Sequence, residues 1–300
     1  MRLLVTGGAG FIGSHYVRTV LSGEFPGAEQ SQVTVLDNLT YVRNVDNLPA
    51  EYPRLRFVKG DIRDPALLRK VLPGHDAVVH FAAESHVDRS VQGAGAFVRT
   101  NVLGTQMLLD ACATTGVQRF VHVSTDEVYG SLGGGGRTET WSLAPNSSYA
   151  ASEAGSDLIG RACWRTHGLS VSSTRCSNNY RPRQHPEKLI PLFVMNLTED
   201  KKVPLYGEGR SVREWLHVSD YCRAIRLVLA KGLAGEVCNV GGGADRKGHD
   251  PRYAFDDTKI RSELGCEPLV PFERGLAEPV GRHRCDAAWS APVKHLSGGS

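Results

Sequence analysis

Ser124-Thr125-Asp126-Glu127 closes a short apolar run, and Tyr149 follows in Tyr-Ala-Ala-Ser-Glu, a segment ending on Glu153. Two adjacent carboxyls can act as acid and base if their surroundings separate their pKa values, so that one stays protonated while the other ionises. A tyrosine on a nearby helix adds a group able to take a proton from a hydroxyl. Placed after a nucleotide-binding start, acid, base and tyrosine describe a redox enzyme that also eliminates water. The plainer alternative is a strand-end turn carrying solvated charges.

The nucleotide-binding start is Thr6-Gly7-Gly8-Ala9-Gly10-Phe11-Ile12-Gly13. Glycines at 7, 10 and 13 permit a tight strand-to-helix turn, close approach of a diphosphate to backbone N–H groups, and close packing of the helix on the sheet. Strand-like Leu3-Leu4-Val5 precedes the turn, and a helix over Ser14 to Leu21 is expected after it. Val33-Thr34-Val35-Leu36 then delivers Asp37, close to the ~20-residue spacing at which a carboxylate meets an adenosine ribose diol. A carboxylate there repels a 2′-phosphate, which favours NAD over NADP. Asp61-Ile62, after the third strand, is placed to flank the adenine.

The elements that must hold these groups are short runs that are apolar throughout, separated by helix-length segments. They are Leu3-Leu4-Val5, Val33 to Leu36, Arg56-Phe57-Val58, Ala77 to Phe81, Phe120 to Val123 and Leu169-Ser170-Val171. Such runs suit a parallel sheet covered on both faces, so the fold expected is α/β, a doubly wound Rossmann-type sheet. From about Cys176 the alternation weakens and proline and arginine become more frequent. The division expected is a nucleotide-binding domain over residues 1–175, followed by a smaller region over 176–300 that mainly binds substrate and partly returns to the first. Gly133 to Gly136 reads as a surface loop, and no internal repeat is visible.

Composition narrows the classes. The 300 residues, 41% hydrophobic and 22% charged, are ordinary for a globular chain with a substantial core. With 35 basic against 32 acidic residues and no long basic run, nucleic-acid binding has little electrostatic support. No apolar stretch approaches ~18 residues, and the N-terminus opens directly into a strand, which leads us to expect neither a membrane span nor a signal peptide. Seven scattered cysteines without a Cys-x-x-Cys pair fit reduced thiols of a cytoplasmic protein. No metal is expected.

Several segments together carry a family resemblance. They are the glycine turn, Ala82-Ala83-Glu84-Ser85-His86-Val87-Asp88-Arg89-Ser90, Ser124 to Gly130, Arg175-Cys176-Ser177-Asn178-Asn179-Tyr180 and Arg213 to Val218. They resemble the extended short-chain dehydrogenase/reductases and, more narrowly, the dTDP-glucose 4,6-dehydratases, over nearly the whole chain. The resemblance implies a tightly held NAD and a nucleoside-diphosphate hexose, dTDP-glucose above all. Tyr149 would take the proton as C4 is oxidised, Glu127 would remove the C5 proton, and Asp126 would protonate the C6 hydroxyl so that it leaves as water. Hydride return to C6 would complete a 4-keto-6-deoxy sugar. A homodimer is implied too, through helices near Asn101 to Thr114 and Ser152 to Thr166.

By the same resemblance Thr125 would bond the sugar, and Ser85 and Asn178 would contact hexose or phosphates. Asn179 and Thr100 would face the cofactor, with Phe11, Ile12, Asn38, Leu39, Thr40, Phe81, Ala82, Ala83 and Ser85 completing its site. Lys188, Leu189, Pro204, Leu205, Tyr206 and Arg213 would hold the nucleotide diphosphate, joined by Asp245, Arg246, Lys247, Gly248 and His249.

The chain also departs from the family pattern. The family carries a lysine where this chain has Glu153, on the helix face it shares with Tyr149. A cation there lowers a phenol pKa, and a carboxylate opposes both phenolate and the loss of the cofactor's positive charge. Arg181 stands where the family has glycine, which implies strain if the position needs a positive φ, or else a charge reaching the diphosphate. After Gly243 a helix-sized segment is short, and Pro279 falls where a continuous terminal helix is expected. Competing readings are a sugar-nucleotide 4-epimerase or decarboxylase, which the Asp126-Glu127 pair opposes, and an impaired sugar-nucleotide-binding protein, which Glu153 favours.

Overall fold

Leu4 and Val5 in β1 (Arg2–Thr6) are wholly buried, as a strand covered on both faces requires. The computed structural model describes residues 1–40, 45–131, 136–204, 213–242 and 256–285. After β1 come β2 (Gln32–Asp37), β3 (Leu55–Lys59), β4 (Ala77–His80), β5 (Arg119–Thr125), β6 (Val171–Cys176), β7 (Asn178–Tyr180), β8 (Trp215–His217) and β9 (Val237–Val240). Seven of them form one parallel sheet in the order β3-β2-β1-β4-β5-β6-β9, and β7 pairs with β8 in a separate small sheet. The doubly wound sheet expected is present. Its sixth strand starts at Val171, the last residue of the apolar run that announced it, and so delivers Arg175 and Cys176 beside Ser124 and Thr125.

Helices are α1 (Phe11–Ser22), α2 (Pro65–Val71), α3 (Val87–Gln92), α4 (Ala94–Phe97), α5 (Thr105–Thr115), α6 (Ser148–His167), α7 (Leu189–Thr198), α8 (Val218–Lys231), α9 (Thr258–Leu264) and α10 (Phe272–Cys285). Two layers cover the sheet. Tyr16, Val17 and Val20 of α1 join Ala224, Ile225 and Val228 of α8 in one core. Leu68 of α2, Leu108 and Leu109 of α5 and Cys163 of α6 join Leu4, Val78 and Phe120 in the other. A π-helical stretch, Val98–Gly104, runs directly into α5. Asn101 within it donates to Glu84 O at 3.0 Å and Ser152 Oγ at 2.9 Å, tying the β4 exit to α6.

Winding reverses between β1 and β4, and a crevice opens there beyond the carboxyl ends of the strands, the usual ligand position in such sheets. Late chain returns to the sheet: β9 lies in register with β6, Cys176 opposite Val240. Pro279 lies inside α10 rather than ending it. Position 181 does not take a positive φ, so the strain conditional on it does not arise; Arg183 takes one instead, at 73°. Arg181 turns away from the crevice to contact His15 of α1 and to pair with Glu278 of α10 at 3.5 Å. The glycine run reduces to Gly136 here, because residues 132–135 lie outside the described residues.

Gly7 shows what the turn demands. Its φ is +68°, and a Cβ placed on it would stand 2.6 Å from Ala82 N. Gly7→Ala is therefore expected to destabilise the fold by more than the ~1–2 kcal/mol of the left-handed conformation alone, read as a fall in Tm.

Candidate active site

Three hollows that share lining residues meet at the carboxyl ends of the central strands. The first follows from the glycine turn. Gly10 caps α1 without a side-chain hydrogen bond, and no acidic residue sits in the first turn, so the helix N-terminus is left to favour an anion. A Cβ on Gly13 would lie 2.4 Å from Gly7 O, so only glycine keeps this cradle all backbone. Asp37 is 2 % exposed and is aimed by N–H donors from Ala9 and Leu39, each at 2.9 Å.

With Asn38, Thr40, Asp61, Ile62, Ala82 and Thr100, Asp37 lines a hollow of about 50 Å³. Asp61 is held there by Asn38 and Arg63. Leu39 does not join them: at φ 52° its side chain packs on the core, because its backbone N–H is committed to Asp37. Backbone donors for a diphosphate, a buried carboxylate for a diol and Ile62 beside a flat hollow fit a dinucleotide.

Gly7 is shared with a second hollow of about 250 Å³, whose lining includes Gly10, Phe11, Ile12, Gly13, Phe81, Ala83, Ser85 and Asn179. Thr125, Asp126, Glu127, Tyr149 and Glu153 line the same hollow. β5 ends at Thr125, whose hydroxyl accepts from Glu127 N and donates to Asp126 Oδ1, both at 3.2 Å, as a 3₁₀ turn begins. The strand end thus presents both carboxyls. Desolvation and then the Glu127 carboxylate push Asp126 up to about 6, while Arg137, hydrogen bonding with Thr125 and Arg213 oppose the rise. Glu127 is raised by desolvation against Lys188 and Arg213, and it stands exposed to the cleft, where water screens it.

Tyr149 and Glu153 project from one face of α6, whose start is fixed by Ser147 accepting from Ala150 N at 3.0 Å. One turn on, Asp157 accepts from Arg175 Nε at 2.7 Å. Arg175 Nη1 donates to Tyr129 OH, which donates to Asn239 Oδ1, each at 2.8 Å. This buried chain fastens α6 to β6 and β9. Desolvation, then Glu153 and Glu127, raise Tyr149 well above the usual phenol range, with hydrogen bonding to Thr125 opposing.

Glu153 itself is 3 % exposed, and desolvation, then Asp157 and Glu127, push it well above the usual carboxyl range. The full carboxylate charge expected at this position is therefore corrected. Burial among other acids favours the neutral carboxyl.

The third hollow, a cleft of about 610 Å³, is lined by Asn178, Lys188, Leu189 and Arg213 together with Asp126 and Glu127. Lys188 Nζ donates to Ser85 O at 3.2 Å. Pro204 lines none of the three hollows. Leu205, Tyr206, Asp245, Arg246, Lys247, Gly248 and His249 lie outside the described residues, as does the short stretch after Gly243. Arg181, engaged with α1 and α10, does not extend toward a diphosphate. Arg137, Gln184 and His185 were not singled out as site residues from the sequence, yet they line these hollows. For His185 the signal was adjacency to Lys188; for Arg137, beyond a glycine loop, there was none. Among the described residues no cluster of His, Cys, Asp or Glu could hold a metal ion.

The pattern that defines the GDP-mannose 4,6 dehydratase family matches residues 4–244. A dTDP-glucose 4,6-dehydratase from Streptomyces niveus is 53% identical over 98% of this chain and 96% of its own. The chain belongs to the dTDP-glucose 4,6-dehydratase family. A crystal structure of such a dehydratase from Streptomyces venezuelae, with NAD bound, superimposes with a TM-score of 0.93 at 55% identity, covering 98% of this chain and 100% of that one. The dehydratase of Bacillus anthracis, also solved with NAD, gives 0.87 at 43%, covering 98% and 99%. The alignment with the Streptomyces niveus dehydratase runs over 322 residues, more than the 300 present here, so that relative has residues without a counterpart in this chain.

For this dehydratase-family chain, the raised Glu153 carries a linkage with a definite sign. A carboxyl whose folded pKa lies above its unfolded value costs nothing at a pH below the unfolded value of about 4.3. The cost grows as pH rises through the folded value. Glu153→Gln is therefore expected to raise Tm at pH 8 by at least about 2 °C, with the gain fading toward pH 4, as thermal melts at the two pH values would show.

Proposed function

We propose that this protein converts dTDP-glucose to dTDP-4-keto-6-deoxyglucose, as an NAD-dependent hydro-lyase. The observation that carries the reading is the convergence of Asp126, Glu127 and Tyr149 on one hollow that begins at the glycine turn. An epimerase needs no adjacent acid and base for elimination. NAD, when bound, supplies the acceptor for the electrons of C4 oxidation and gives them back at C6.

Gly7, Gly10 and Gly13 admit its diphosphate to the α1 N-terminus, Asp37 takes the adenosine diol, and Thr100 and Asn179 border the remainder. Tyr149 receives the proton of the C4 hydroxyl, with Thr125 positioned to share it. The 4-ketone so formed acidifies C5–H, which Glu127 removes. Asp126, raised to about 6 by burial and then by the Glu127 carboxylate, donates to the C6 oxygen, which departs as water. Lys188, Asn178, Ser85 and Arg213 bind hexose and diphosphate, with Leu189 beside them; Lys188 and Arg213 also keep the neighbouring Glu127 nearer its ionised form.

Glu153 limits the first step. Even as a neutral acid it supplies no cation to favour the Tyr149 phenolate, and whenever it ionises it opposes phenolate outright. It retains the capacity to hydrogen-bond the ribose hydroxyls. Each pKa unit by which Tyr149 falls corresponds to about tenfold in the balance of its two forms. Turnover of dTDP-glucose by the NAD-loaded protein, followed as formation of the 4-keto-6-deoxy product, is expected to be measurable but slow, and Glu153→Lys is expected to raise it at least about tenfold. No product from either form would remove the dehydratase reading in favour of a sugar-nucleotide-binding protein.

The working unit is a homodimer joined through the π-helical stretch, α5 and α6. The reading is supported by Val98, Leu103 and Leu158, large apolar side chains exposed on those elements at 50–57 %. Leu158→Glu is expected to shift the mass seen by light scattering from dimer to monomer. Among the described residues, six buried, free cysteines suit the cytoplasm as the site of action.

A further inference from the structure

Arg137 lines the 610 Å³ cleft together with Asp126, Glu127 and Arg213, and the reaction as derived does not use it. Its backbone is fixed: the carbonyl accepts from Asn239 Nδ2 at 2.7 Å and from Asp256 N at 3.1 Å. Two residues on, Glu139 accepts from Asn239 N at 2.9 Å, so the whole segment is fastened to β9. The residue is 7 % exposed, and its Nε–H is buried with no hydrogen-bond partner among the described residues. A buried cationic donor without an acceptor costs stability. The guanidinium nevertheless borders the cleft.

The cations of the cleft divide between the two carboxyls. Lys188 and Arg213 act on Glu127, whereas Arg137 is foremost among the cations acting on Asp126, ahead of Arg213. The other groups that face Asp126 are Thr125, which donates to it, the Glu127 carboxylate and the Cys176 thiol. Arg137 is thus the cation set beside the acid of the pair.

We propose that the Arg137 guanidinium contacts substrate, donating to the oxygen on C6 of the hexose alongside Asp126 and so selecting sugars that carry a 6-hydroxyl. The proposal rests on the dehydratase reading, in which Asp126 meets that oxygen. In the elimination the C5–H proton goes to Glu127, its bonding electrons form the C5–C6 double bond, the C6–O bond breaks, and the oxygen leaves as water with the proton of Asp126. Negative charge grows on that oxygen before the proton arrives. A guanidinium gives up no proton at any working pH, so it can hold this charge without competing with Asp126 for the acid role.

The test uses the NAD-loaded protein with Tyr149→Phe throughout, so that binding is read without turnover. Calorimetric affinities are measured for dTDP, dTDP-xylose, which lacks C6, and dTDP-glucose. Arg137→Gln is expected to weaken dTDP-glucose about tenfold, 1.4 kcal/mol at 25 °C, and to leave dTDP and dTDP-xylose unchanged. Arg137→Lys, which keeps the charge if the glutamine form fails to fold, is expected to give a smaller loss confined to dTDP-glucose. With Tyr149 restored, Arg137→Gln also moves the alkaline limb of turnover to higher pH, because removing a cation lets Asp126 hold its proton longer. Equal weakening of all three ligands would assign Arg137 to the diphosphate and overturn the proposal, as would no weakening at all. Failure of the unsubstituted Arg137 form to bind any of the three would instead overturn the dehydratase reading, and the proposal with it.

Discussion

The buried pair of Asp157 and Arg175 is the contact on which the rest of the site depends. Asp157 is one helical turn beyond Glu153 and two beyond Tyr149, so whatever fixes it fixes the register and rotation of the catalytic face of α6. Arg175 meets it at 2.7 Å from β6, with both side chains no more than 6 % exposed. Such a pair is costly to desolvate, and here Arg175 is further engaged: its Nη1 donates to Tyr129 OH, which in turn donates to Asn239 Oδ1. The same aspartate raises Glu153 from the far side. Scaffold and chemistry are thereby coupled, since the group that orients the helix adds to burial in limiting how much negative charge the neighbouring acid can carry.

That coupling explains how an acid is accommodated where the family has a lysine. An isolated carboxylate beside a phenol would be forbidding in a low-dielectric hollow, but a neutral carboxyl is close in size and polarity to an amide and asks only for hydrogen bonds. Lost is the electrostatic push on the tyrosine. Kept are the shape of the hollow and the donors around the cofactor cradle. Activity and binding are in this way separable in a single side chain.

Much of this was legible in the residue pattern, for reasons that differ by element. The sheet was readable because parallel strands buried on both faces leave uninterrupted apolar runs. The glycine turn was readable because three constraints, a positive φ at Gly7, backbone approach at Gly10 and packing at Gly13, each exclude other residues. Charge states were less so: Glu153 reads as a carboxylate until its burial beside Asp157 and Glu127 is known. Arg181 reads as strained or phosphate-seeking until its contacts to His15 and Glu278 appear. Arg137 is invisible in sequence, since only the return of β9 brings a loop residue against Asp126.

The return of β9 also orders events in time. That strand is the last of the sheet in chain order, pairing with β6, and Asn239 accepts from the Tyr129 hydroxyl and donates to the 137–139 segment. A nascent chain on the ribosome can assemble the glycine turn and the first six strands of the sheet early, but the edge beside β6 stays open until residue 240 has emerged. Cofactor cradle and substrate cleft therefore mature in sequence, and a chain halted before β9 has a place for the nucleotide while its acid-bearing wall is still unsupported.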